Sequence, residues 1–163
     1  MKGTFQFIFE VAKVVLIALV IVVPLRFFVF QPFLVRGDSM EPNYHNGDYL
    51  IVDQLSYRFS EPERGEVIVL KFPFDLSQRF IKRIVGLPGE EILVVNNKVF
   101  VDGNSIEEEY IDSDIPMSDT PPFLLRENEY FVMGDNRPSS YDSRNWGPLG
   151  EHQIVGVVRL RFW

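Results

Sequence analysis

The chain has 163 residues, 46% of them hydrophobic, which is enough for one modest globular domain and an appendage. Its net charge is -7 with no dense Lys/Arg cluster, and this excludes the basic face that nucleic-acid phosphates require. The absence of cysteine excludes disulfides, thiolate catalysis and cysteine-held zinc; His45 and His152 lie outside any metal-ligand spacing, so no metal or cofactor is expected.

In chain order, the first feature is apolar. Residues 3–35 read GTFQFIFEVAKVVLIALVIVVPLRFFVFQPFLV, and the stretch from about Phe5 to Val23 approaches the roughly 20 apolar residues that span a bilayer. Glu10 and Lys13 interrupt it at i, i+3, a spacing that can pair them on one helix face. A cleavable leader would continue into small residues, but Pro24, Leu25, Arg26 and two phenylalanines follow, so an uncleaved anchor is expected. The transmembrane helix is placed at about 5–25 within an anchor of residues 1–30. Lys2 and Lys13 favour an inside amino terminus by a small margin, because Arg26 and Arg36 lie on the far side. Phe27, Phe28, Phe30 and Phe33 would form an aromatic collar at the far interface.

After residue 36 the pattern changes to two-residue alternation broken by turns. DYLIVDQL, GEVIVLKF and RFIKRIVGL read as strands, and EEILVVNNKVFVDG reads as a hairpin turning at Asn96-Asn97. NEYFVMGDN and IVGVVRLRF supply two late strands. The expected fold is mostly β: an antiparallel barrel or bent-sheet domain over 31–163, preceded by one transmembrane helix. An acidic, proline-rich segment at about 103–122 is expected as a solvated loop or small β-extension. Phe72-Pro73-Phe74 either exposes apolar rings beside the membrane or ends a buried strand.

The segment RGDSMEP sets Ser39 just past the anchor, either as part of an ordinary turn or as a nucleophile that needs a base. Neither histidine comes with an Asp-His-Ser arrangement. A lysine serves if its amine is neutral, which means lowering a pKa of about 10.4 by two to three units through desolvation. Lys2 and Lys13 belong to the membrane segment, and Lys98 follows a turn where water is expected. In RFIKRIV, alternation sets Lys82 between Phe80 and Ile84 on one face, with Ile81, Arg83 and Val85 on the other. The positive charge of Arg83 would further disfavour protonation of Lys82. Lys82 is therefore the favoured base and Lys71, beside Phe72-Pro73, the second candidate. A chain with no lysine base stays open on these grounds alone.

Three blocks resemble those of the type I signal peptidases, membrane-anchored Ser-Lys endopeptidases that remove signal peptides from exported proteins. They are GDSMEP with NGDYLIV, FIKRIVGLPGE, and GDNRPSSYDSRNWGPLGEHQIVG, in the family's order and spacing. The resemblance implies Ser39 as nucleophile and Lys82 as general base, with Ser140 hydrogen-bonded to the lysine amine. It implies that Asp142 orders the third block with Arg144 as its salt-bridge partner, while Gly134, Asp135, Asn136 and Arg137 act as scaffolding. It further implies that substrate adds as a strand beside the segment leading to Ser39. Phe33, Val35, Met40 and Ile81 would then line shallow pockets for an Ala-x-Ala-like motif. The partners implied are signal peptides of secreted preproteins, membrane lipid and the neighbouring export machinery, with no nucleic acid. The location implied is the bacterial cytoplasmic membrane, amino terminus cytoplasmic and catalytic domain extracytoplasmic.

Two departures stand out. Some members carry a hydroxyl residue two positions before the nucleophile, where this chain has Gly37. Pro138 and Ser139 replace the Asp and Asn common in other members. The self-cleaving repressors of the SOS response share a Ser-Lys dyad but begin with a DNA-binding domain rather than an anchor. A catalytically silent, membrane-tethered binding or assembly module is the alternative from a different class.

Overall fold

The computed structural model describes residues 2–28, 30–112 and 115–163. Side chains of residues 2, 4, 5 and 24–30 lie outside that description, so the collar expected of Phe27, Phe28 and Phe30 falls outside the described residues.

Helix α1, Lys2–Phe28, has 27 residues, about 40 Å at 1.5 Å per residue. Its apolar window Gln6–Val23 is nowhere buried against the rest of the chain. A helix apolar on every side and covered by no protein needs an apolar solvent. Among the described residues Glu10 and Lys13 form no ion pair, so the pairing their spacing permits is not made.

The remaining chain is mostly antiparallel sheet. The strands are β1 Phe30–Leu34, β2 Tyr49–Asp53, β3 Val67–Phe72, β4 Asp75–Gly86, β5 Glu91–Val95 and β6 Lys98–Val101. They continue with β7 Asn104–Ser105, β8 Phe123–Leu124, β9 Glu129–Met133, β10 Leu149–Gly150 and β11 Ile154–Phe162. One sheet has the order β1-β2-β11-β3-β4-β9-β10 and the other β7-β6-β5-β8. Both sheets are open, so the bent-sheet form of the expectation is the one found. Asn96 and Asn97 turn the β5–β6 hairpin with φ of 52° and 59°, the left-handed pair a two-residue hairpin requires.

Alternation along β4 explains how the core is divided. Phe80 and Ile84 pack with Ile68, Leu70, Tyr130 and Val132. Ile81, on the opposite face, joins Val35, Leu50, Val52 and Val69. Strand β4 pairs with β3 along its length but with β9 only from Arg83 onward. The edge of β4 before Arg83 is therefore left free on that side, and β1 is an edge strand.

Candidate active site

The free edges of β1 and β4 flank a cleft of about 550 Å³ lined by Phe33, Val35, Leu50, Val69, Ile81 and Tyr141, with Ser39 and Lys82 also on its wall. Phe33 and Val35 come from β1 and its continuation, and Ile81 from β4. Met40 is the exception: it is buried at 1% exposure and does not line the cleft. The residue after Ser39 turns into the core, and Met40 is a packing residue.

Lys82 Nζ lies 2.7 Å from Ser39 Oγ across 43 residues of sequence. Lys82 is 3% exposed, and among the described residues its amine forms no ion pair. Burial pushes its pKa down to about 8, against the opposing pull of the Asp142 and Asp135 carboxylates. The repulsive charge that helps is that of Arg144, which corrects the expectation placed on Arg83. Arg83 points the other way and is gripped by both oxygens of Asp135 at 2.8 and 2.6 Å. Lys71 is half-buried opposite Arg79 on β3 and borders a different crevice, away from Ser39. His45 meets Arg161, His152 is exposed, and neither lines the cleft.

The loop after β9 is built on buried charges. Asp142 caps the short helix α2, Ser143–Trp146, accepting from the Arg144 N–H at 3.2 Å and the Gly134 N–H at 3.0 Å. The Arg144 guanidinium closes on the same carboxylate at 2.8 Å and donates to the Arg137 carbonyl at 2.7 Å. Ser140 departs from expectation. Among the described residues its buried hydroxyl has no hydrogen-bond partner, and the Lys82 amine bonds Ser39 alone. It still stands beside the pair, because a Cβ built on Gly134 would overlap both Ser140 Oγ and the Ser39 carbonyl oxygen. Any side chain at residue 134 would push the two loops apart.

Asn136 was expected as scaffolding, whereas Asn43, Tyr110 and Glu108 join the site without a sequence signal that pointed to them. Asn136 donates from its backbone N–H to the Ser39 carbonyl at 3.1 Å and from Nδ2 to the Asp38 carbonyl at 3.0 Å. It clamps the turn that carries the serine. Asn43 Nδ2 donates to Asp135 at 2.8 Å and to the Tyr110 carbonyl at 2.7 Å. The Tyr110 ring covers the Arg83 guanidinium at 4.0 Å, and its hydroxyl bonds Glu108. Glu108 in turn holds buried Arg137 bidentately at 2.7 and 2.6 Å. In the acidic segment Glu107 and Glu109 are exposed, whereas Glu108 and Tyr110 turn inward onto Arg137 and Arg83. Glu108 and Tyr110 thereby buttress the turn after β9.

Near Ser39, which lines the cleft, two backbone donors differ in what they meet. Among the described residues the Ser39 backbone N–H has no acceptor, whereas the Gly37 N–H is committed to Asn46 Oδ1 at 3.1 Å. Gly37 sits at φ of +90°, where a side chain would be strained. That backbone is one reason a hydroxyl residue is disfavoured at this position.

An open antiparallel β structure with a dry Ser-Lys contact beside an apolar cleft defines a chain equipped for serine-type acyl transfer. Comparison with known proteins narrows the class. The family described as signal peptidase, peptidase S26, matches residues 8–163. "Probable signal peptidase I-1" of Synechocystis sp. is 41% identical over 97% of this chain and 84% of its own length. "Signal peptidase I P" of Bacillus subtilis subsp. natto is 38% identical over 93% and 86%. The crystal structure of a signal peptidase I from Enterococcus faecalis V583 is 31% identical with a TM-score of 0.53, covering 61% of this chain and 98% of that one. This chain belongs to the signal peptidase family, peptidase S26.

Proposed function

We propose that the chain is a membrane-anchored serine endopeptidase that removes amino-terminal signal peptides from preproteins, cutting after a small-x-small motif. The observation that carries the reading is the 2.7 Å contact between Ser39 Oγ and a buried Lys82 amine held down to a pKa of about 8, within a signal peptidase chain. The preprotein adds as a strand along β1, its small side chains set against Phe33, Val35 and Ile81. Neutral Lys82 takes the Ser39 proton as Oγ attacks the carbonyl of the last small residue. It then passes that proton to the leaving amine, which departs as the new amino terminus of the mature protein. Water, giving a proton to Lys82, attacks the acyl ester, and Lys82 hands that proton to Oγ as the ester bond breaks, releasing the signal peptide with the Ser39 hydroxyl and the neutral amine restored. The Ser39 N–H supplies one oxyanion donor.

Asp142, Arg144 and Ser140 are positioning residues in this scheme. Residues 1–30 form the anchor in contact with lipid, with the amino terminus in the cytoplasm. Residues 31–163 form the catalytic domain outside the bacterial cytoplasmic membrane, near the export machinery that delivers substrates. The catalytically silent alternative has no support, because the family match comes with both reactive side chains retained and in contact. Preprotein cleavage in vesicles tests the reading, with wild type beside Ser39→Ala and Lys82→Ala and sequencing of the product amino terminus. Cleavage after a small-x-small motif, lost in both variants, is the expected result. Wild-type-level cleavage by Lys82→Ala would overturn the base assignment.

A further inference from the structure

The sheet face beside the cleft changes character along its length. Near the dyad it is apolar: Val35 just past β1, Val52 on β2, Val69 on β3 and Ile81 on β4 pack together. Two residues nearer α1 on each strand, on the same side of the pleat, stand Phe33, Gln54, Lys71 and Arg79. The direction follows from the antiparallel pairings, which make β1 and β4 run away from that helix and β2 and β3 back toward it. An apolar floor thus passes into a polar, cationic one.

The cationic zone is hollow. A crevice of about 420 Å³ is lined by Arg58, Lys71 and Arg79 together with Gln31 and Gln54, and no carboxylate borders it. It shares Phe33 and Arg79 with the cleft, so the two adjoin. Among the described residues none of the three cations forms an ion pair. Arg79 donates to the Leu76 and Gln78 carbonyls, which leaves its charge uncompensated. Carboxylates close by in sequence are engaged elsewhere: Asp75 holds Ser77 and Gln78, and Asp53 holds Leu55, Ser56 and Arg159.

A substrate strand along β1 meets the two zones in order. Its cut bond lies at Ser39, so the residues before the cut run back past Val35 and Phe33 toward α1. Side chains on one side of an extended strand repeat every second residue. The first and third residues before the cut then face Val35, Phe33 and Ile81, and the fifth falls where Phe33 and Arg79 end the cleft and the cations begin. We propose that the crevice is a further substrate subsite, in which Arg58, Lys71 and Arg79 receive an acidic side chain at the fifth residue before the cut and reject a lysine or arginine there. The subsite rests on the reading of the chain as an endopeptidase that removes signal peptides. It adds a charge criterion to a motif otherwise defined by size.

Competition between substrates tests this. Three preproteins that differ only in having glutamate, glutamine or lysine at the fifth residue before the cut are mixed and cleaved together by the full-length protein in neutral detergent. Because they share one enzyme, their relative rates give the ratio of kcat/KM whatever fraction of the protein is active. Glutamate should be fastest and lysine slowest, with roughly tenfold between them at low salt and less at high salt. The general field of a chain of net charge -7 favours lysine, so this order runs against it. The same three residues at the second position before the cut, which faces away from the crevice, should differ far less. In Lys71→Gln/Arg79→Gln the glutamate-to-lysine ratio falls toward one, and in Arg79→Glu it inverts. Equal rates in the wild type, an order kept by both variants, or an order as steep at the second position would overturn the subsite and leave the peptidase reading standing. No cleavage of any of the three by the wild type would overturn both.

Discussion

On one face of β4, Lys82 reaches a serine hydroxyl and no carboxylate; on the other, one residue later, Arg83 is held by both oxygens of Asp135. The two cations are similarly dry, 3% and 9% exposed. Burial is the largest influence on each and pushes both pKa values down. For Arg83 the hydrogen bonds and charge of Asp135 outweigh it, with help from Tyr110 and Tyr44, and the net shift is upward. For Lys82 no carboxylate is close enough to compensate, and the amine is left able to lose its proton. Burial alone therefore does not make a base. The difference is whether a counter-ion has been admitted to the same layer.

The strongest way to break the comparison is to remove each cation in turn. Lys82→Met should cut preprotein cleavage roughly a thousandfold or more, since in the proposed scheme it removes the general base for both acylation and deacylation. The same variant should unfold at equal or higher denaturant concentration near neutral pH. Below pH about 8 the folded protein carries a protonated, buried Lys82, a cost of about 3 kcal/mol for a shift from 10.5 to about 8. Between those two values the unfolded chain binds the extra proton, so wild-type stability rises with pH across that window. The advantage of Lys82→Met narrows accordingly.

Arg83→Met should behave in the opposite way. It strands Asp135, which has 0% exposure, and about 3–5 kcal/mol of unfolding free energy should be lost in denaturant titration. Replacing Asp135 by Leu in the same chain should recover most of it, because an apolar pair removes both charges. An unrecovered double variant would mean that the Asn43 hydrogen bond, rather than the ion pair, is the larger contribution.

A smaller effect sharpens the point one layer out. Glu108→Gln weakens the charge-assisted grip on buried Arg137 while keeping an acceptor, at a cost of about 2 kcal/mol. Cleavage should fall with it, because Arg137 Nε holds the Gly134 carbonyl and the adjacent Asn136 clamps Ser39. A stability loss with kcat unchanged would show that the turn keeps its shape without this support.

Much of this arrangement was readable from local pattern. The apolar run, the Asn-Asn hairpin and the late strand IVGVVRLRF correspond to α1, β5–β6 and β11, since each is set by periodicity or turn chemistry within a few residues. Alternation also separated Lys82 from Arg83. What it could not show was compensation at long range. Glu108 meets Arg137 across 29 residues, and an acidic run with prolines looks like solvated surface until its partner is known. The same limit hid Asp135 as the partner of Arg83 and led Arg83 to be credited with repelling the Lys82 proton. Met40 failed for another reason: after a turn, two-residue alternation no longer says which way a side chain points.

The most direct test of the central claim, a neutral Lys82 acting on Ser39, is the pH dependence of kcat/KM for preprotein cleavage by the full-length chain. Because the base is active only after losing its proton, the rate should climb with pH along a single limb centred at about 8 and then level. A limb centred at the ordinary histidine value of about 6.5, or a profile with no rising limb, would contradict it.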